Sequence, residues 1–220
     1  MKKILSVILS ALIILSAFSA GAFATEAEST RYEKWCETHN INDGISVKIH
    51  TRANNMLISL FGAVIHFKDG KLAVEAEFDG KEFKAVTKDD DLCIFMTKLP
   101  IFHYKIKGDE LFGSIDMDLT LDENTAFVES YETEVNGKAL FVEEYLYDEG
   151  SQPMTFKFYF DGDELIYFGA EETIADMDFE LYFEILSFEV DDAVFKMPAF
   201  SLDVTFLVDL FLKLGLFFII

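Results

Sequence analysis

Asp69-Gly70-Lys71-Leu72-Ala73-Val74-Glu75-Ala76-Glu77-Phe78-Asp79-Gly80 is the stretch whose pattern sets the fold class. Leu72, Val74, Ala76 and Phe78 alternate with Ala73, Glu75 and Glu77. A period of two puts the first set on one face of an extended strand. An Asp-Gly pair stands at each end, and these residues accept the positive φ angles of tight hairpins, so an antiparallel neighbour is expected on either side.

The same signals recur outward from this strand. Upstream, Ile45, Val47 and Ile49 alternate with polar residues. Downstream, strands are expected around Phe83–Thr87, Leu92–Thr97 and Phe102–Lys107. Asn136-Gly137 joins Phe127–Val135 to Lys138–Tyr147, and Asp161-Gly162 joins Thr155–Phe160 to Glu164–Phe168. Asp178–Phe188 is the last clear strand. About ten strands at a spacing of roughly 8–12 residues describe an all-β chain. A meander of that length must curl to bury its apolar face. The predicted fold is therefore mainly β: an antiparallel sheet curled into an incomplete barrel. A short N-terminal helix within Thr25–Asn40, holding Tyr32, Trp35 and Cys36, and a hydrophobic C-terminal helix complete it. Asp116–Asn124 is expected as a loop between two halves of one sheet, and no Ser/Gly/Pro-rich linker or repeat divides the chain.

The two ends are unlike this middle. Met1-Lys2-Lys3, the apolar run Ile4–Phe18 and the triplet Ala22-Phe23-Ala24 form the three regions of a cleavable secretory signal peptide. Residues 1–24 are read as that signal, 25–203 as a single domain starting at Thr25, and 204–220 as a hydrophobic tail. Apart from Thr205, Asp209, Lys213 and Gly215, the tail is apolar. In a helix Asp209 and Lys213 are four apart and can pair. At about 1.5 Å per residue the tail reaches roughly 25 Å, short of a ~30 Å hydrocarbon core. It is expected to hide its surface in the barrel mouth or to make contact with a membrane.

The chain carries 18 Lys+Arg against 40 Asp+Glu, a net charge of −22 that becomes more negative once Lys2 and Lys3 leave with the signal. Such a surface repels phosphates, so no nucleic-acid partner is expected. Disorder is excluded by a 51% hydrophobic content that includes 24 Phe. High charge beside high apolar content calls for sharply segregated faces, in a protein that works outside the cytoplasmic membrane or in the cell envelope.

No chemical motif stands out. Gly-x-Ser-x-Gly, a phosphate-cradling Gly-rich loop and His-Glu-x-x-His are all missing. His39, His50, His66 and His103 are scattered, and with two Cys they offer no zinc spacing. Asp89-Asp90-Asp91 and Asp161-Gly162-Asp163-Glu164 lack the ligand spacing of a calcium loop and read as turns and solvated charge. Hence no catalytic residue, metal or cofactor is assigned, and a non-catalytic protein is expected. Cys36 and Cys93 can form one disulfide in an exported chain. The rival reading, from the apolar run Leu92–Met96, is a buried free thiol at Cys93.

The aromatics carry more information. Phe156, Phe158 and Phe160 share one strand face, and Phe179, Leu181 and Phe183 share another. Such faces build either an ordinary core or a concave apolar wall that receives a ligand.

Val142-Glu143-Glu144-Tyr145, Thr155–Tyr167 and Phe188–Pro198, the last containing Val190-Asp191-x-x-x-Phe195-x-x-Pro198, carry a family likeness. Over Asn136–Pro198 the chain resembles the distal half of LolA-like lipoprotein-carrier domains, whose superfamily includes carriers of glycolipids. The resemblance implies an incomplete antiparallel barrel around an apolar cavity, with helices or loops as a lid. No gating Arg is carried over, because Arg31 and Arg52, the only two, lie near the start of the exported chain. The expectation is an exported binder or carrier of a lipid or other apolar small molecule. The alternative is a cell-envelope interaction or structural module with a filled core and no ligand.

Overall fold

The computed structural model describes residues 29–53, 56–89, 91–107, 121, 124–147, 154–174 and 177–213. The expected signal peptide, most of the expected Asp116–Asn124 loop and the tail beyond Lys213 lie outside these residues. Helix α1 (Arg31–Thr38) precedes six strands: β1 (Ile45–Ala53), β2 (Met56–Lys68), β3 (Lys71–Phe78), β4 (Lys81–Lys88), β5 (Asp91–Met96) and β6 (Leu99–Ile106). Five more follow: β7 (Thr125–Val135), β8 (Lys138–Tyr147), β9 (Met154–Asp161), β10 (Glu164–Ile174) and β11 (Met177–Ser187). The two-residue strand β12 (Leu202–Asp203) and helix α2 (Thr205–Lys213) end the described chain.

All twelve strands form one sheet in the order β12-β6-β5-β4-β3-β2-β1-β11-β10-β9-β8-β7. The fold is the expected one: mainly β, an antiparallel sheet that curls without closing, with a helix near each end. Among the described strands only the β12–β6 pair is parallel. Pairing is not consecutive throughout, which corrects the reading of one uninterrupted meander. Two meanders run outward from the middle, where β1 pairs with β11 through Val47↔Ile185 and Ile49↔Phe183. β6 and β7 therefore stand toward opposite edges.

The turns follow their residues. Asp79 and Gly80 have φ of 51° and 68°, the paired positive angles of the mirror-image turn that matches strand twist. Asp161 pairs with Glu164, so the β9–β10 turn is Gly162-Asp163, one residue later than expected. Strand β2 left no period-two signal, because its sequence MLISLFGAVIHFK is almost continuously apolar. Such a run suits a strand in the middle of a sheet and cannot be told from a buried helix by periodicity.

One face of the sheet, here the inner face, carries a continuous core from Ile45, Val47 and Ile49 on β1 to Ile106 on β6 and Tyr145 on β8, with Tyr32 and Trp35 of α1. The outer face holds two smaller clusters. Tyr159 and Tyr182 pack with Val135, Leu140 and Val142. Ala73, Val86, Cys93 and Phe95 lie beneath Val194, Phe195 and Met197. The latter belong to a strap that leaves β11 and crosses the outer face to β12. Asp191 caps its single 3-10 turn by accepting from the Ala193 N–H at 2.8 Å, and Lys68 pairs with Asp192 at 3.0 Å. The Val190–Pro198 motif is thus a structural fastener.

Candidate apolar ligand site

Helix α1 is placed on the inner face by its own chemistry. Thr30 accepts from the Glu33 N–H, and the Glu33 carboxylate accepts from the Thr30 N–H at 2.8 Å, a reciprocal capping box. The remaining free N–H groups meet the buried carboxylate of Glu143 on β8. It accepts from Arg31 N at 2.8 Å and from Tyr32 N at 2.9 Å. An anion at a helix N-terminus satisfies orphan donors and complements the helix dipole. The Tyr145 hydroxyl donates to Thr30 Oγ1 at 2.8 Å and also reaches Glu143 at 3.2 Å. Burial pushes the Tyr145 phenol far above its ordinary range, so it stays a donor. The Arg31 guanidinium lies 4.1 Å over the Phe141 ring and donates to the Gly162 carbonyl.

So held, α1 seals the aromatic wall. Tyr32 is fully buried and stacks on Phe158 with centroids 3.7 Å apart. Trp35 is also buried, its Nε1 without a hydrogen-bond partner, and it stacks on His39 at 4.5 Å. Phe156, Phe158, Phe160, Leu181 and Phe183 come together on the inner face and are all essentially inaccessible. Phe168 of β10 joins them, stacked on Phe183 at 5.0 Å. Phe179 lies in β11 opposite Glu172, and its side chain is outside the described set. Five of the six wall residues named from the sequence therefore form a packed, helix-covered core.

The same inner face is less well covered elsewhere. Phe83 and Met96 are cross-strand partners, as are Ile94 and Tyr104. All four are half-buried, and Phe78 at the end of β3 is exposed. They share one face over β3–β6, and Ile94 and Tyr104 pack against the core that contains the sealed wall. Sequence reading missed this surface because single aromatic and aliphatic residues on six-to-eight-residue strands do not announce which end of a face lacks cover. It also missed Glu143. The available signal was an acid at an inward place in the Phe141, Glu143, Tyr145 alternation, obscured by the adjoining Glu144.

The cysteines are not joined. Neither takes part in a disulfide, because the sheet stands between them: Cys36 packs against the inner core and Cys93 lies in the outer cluster under the strap. Burial raises the Cys93 thiol above its ordinary value, which leaves it protonated and unreactive. No group of His, Cys, Asp or Glu suited to a metal occurs among the described residues. His50 instead contacts Glu184 at 2.7 Å, and His103 meets Ser201 at 2.7 Å.

No family model matches the chain, and no curated protein matches it in sequence.

Proposed function

We propose that this protein is an exported, non-catalytic binder or carrier of a lipid or other apolar ligand, held on the inner face of its incomplete barrel. The observation that carries the proposal is the unequal cover of one apolar face. Helix α1 seals the part over β8–β11, while Phe78, Phe83, Ile94, Met96 and Tyr104 leave the part over β3–β6 accessible. The resemblance of Asn136–Pro198 to LolA-like carriers supports the same reading. Uptake would draw on burial of acyl or similar surface, about 25 cal/mol per Å² before ordering costs. It needs no metal and depends little on salt. A titration with a fluorescent fatty acid tests it. The wild-type protein binds the probe, and Ile94→Asp weakens binding while the fold survives, since Ile94 is only half-buried. No uptake by the folded protein, with no lipid retained in native mass spectrometry, overturns the proposal.

The second reading, an envelope module with a filled core, is favoured by one observation: Phe156, Phe158, Phe160, Leu181 and Phe183 are already fully packed by the chain itself. The same titration separates the two.

A further inference from the structure

The first turn of helix α2 departs from the usual rule for a surface helix. Its polar groups turn toward the domain: Thr205 Oγ1 accepts from the Lys105 N–H at 2.8 Å, and Asp209 accepts from the Tyr104 hydroxyl at 3.2 Å. Two apolar groups of its first turn face away, Phe206 77% and Leu207 50% exposed. An amphipathic helix on a globular surface buries the apolar stripe instead. The neighbouring chain is exposed in the same manner. Ile101 and Phe102 of β6, Leu202 paired with Phe102 in β12, and Phe200 at 68% exposed stand along this one sheet edge. A contiguous apolar patch of this kind marks a contact surface.

Charge distinguishes what contacts it. Residues 121–187 hold 18 acids against 2 lysines. Residues 91–107, which supply β5 and β6, hold 1 acid against 3 lysines, and residues 196–213 hold 2 of each. The edge is thus a place where this acidic chain approaches a headgroup surface without repulsion. β7, in the acidic part, stands at the opposite edge of the sheet, and at physiological salt charges beyond a Debye length of about 8 Å are largely screened. No helix among the described residues is long and apolar enough to cross a membrane, so α2 suits lying in the interface plane.

We propose that the β6–β12–α2 edge is a peripheral docking surface for a lipid bilayer, with Phe200, Phe206 and Leu207 entering the headgroup–acyl boundary. The surface adjoins the inner-face site at Tyr104, whose hydroxyl donates to Asp209, but it does not rest on ligand carriage. Flotation of the secreted protein with phosphatidylcholine vesicles tests it. The wild type is expected to float with the vesicles and to do so equally in added salt, because the contact is apolar. The double variant Phe200→Ser/Phe206→Ser is expected to bind on the order of tenfold more weakly, with an unchanged melting temperature since both rings are exposed. Val128→Ser, an equally apolar exposed site on β7, leaves binding intact. Failure of the wild type to float, or equal flotation of the double variant, overturns the proposal. So does concentration-dependent self-association in sedimentation that the double variant abolishes while vesicles bind neither form. Vesicles without a soluble probe report only on docking, so this outcome and that of the fatty-acid titration are read independently.

Discussion

The two halves of the sheet solve the same problem in opposite ways. Strands β7–β11 use large rings and a helix: Phe156, Phe158, Phe160 and Phe183 are filled in by Tyr32, and the outer surface is acidic. There Lys157 is held by Glu171 at 2.7 Å and Glu144 at 3.6 Å, and Tyr182 donates to Glu171. Strands β2–β6 use smaller residues, Ala63, Ala73, Ala76 and Ala85 among them, and residues 56–107 balance 8 lysines against 8 acids. Their outer face is closed by the strap; on their inner face α2 reaches Tyr104 through Asp209, while Phe83, Ile94 and Met96 stay half-buried. One half is a finished core; the other is a surface that still has apolar area to cover.

The contrast is most directly broken by Tyr32→Ala. This removes a ring stacked on Phe158 and edge-on to Tyr145 at 6.0 Å, and deletions of buried aromatics cost about 3–5 kcal/mol. Urea unfolding measures the loss. The matching truncation in the other half, Ile94→Ala, is expected to cost about 1 kcal/mol, because a half-buried side chain forfeits only part of its transfer energy. Equal costs would erase the distinction between the halves.

Gly169→Ala comes next. A Cβ on Gly169 would fall 2.4 Å from the Tyr182 ring, its cross-strand partner. The ring must move and disturb the Tyr159–Tyr182 contact at 5.7 Å, at a cost of about 1–3 kcal/mol as for other overpacked sites. A shift in the melting temperature reports it. Glu143→Gln is expected to cost about 1–2 kcal/mol, since an amide keeps the shape but gives up charge-assisted bonds to two backbone N–H groups. Its signature is local: faster amide exchange at Arg31 and Tyr32, with β2–β6 unaffected.

Much of this contrast was legible in the sequence. The alternation and the Asp-Gly and Asn-Gly pairs placed ten strands and their hairpins, because local sterics govern both. The position of the helix holding Tyr32 and Trp35 was also readable. What was not legible was long-range. Nothing local states that β1 pairs with β11, a contact across more than a hundred residues, or that α1 turns the Phe wall from open to filled. The Cys36–Cys93 question was of this kind too, since which face each residue occupies depends on the whole sheet.

The smallest expected effect is a response to mild acid confined to the β2–β6 half. His66 on β2 faces Ser46, whose Oγ lies 2.8 Å from its Nδ1. Its Nε2 is buried, 4.0 Å from Glu75 and without a hydrogen bond. Burial lowers its pKa below the ordinary 6.5, Glu75 works against this, and Lys84 adds to it. His103 on β6 is lowered as well, again chiefly by burial. A histidine whose folded pKa is depressed binds its proton more readily when unfolded. Stability therefore falls as pH drops through 6.5, and the loss saturates below the folded pKa. Asp192 and Asp203, whose pKa values are lowered from 3.8, respond only in stronger acid. Between about pH 7.5 and about pH 5.5, where His alone among ordinary side chains changes charge, amide protection, corrected for the intrinsic slowing of exchange in acid, is expected to fall in β2–β6 and to hold steady in β8–β10. His66→Gln/His103→Gln should flatten that response without changing the exchange of α1. Uniform loosening of both halves, or a response that persists in the double variant, would remove histidine titration as the cause.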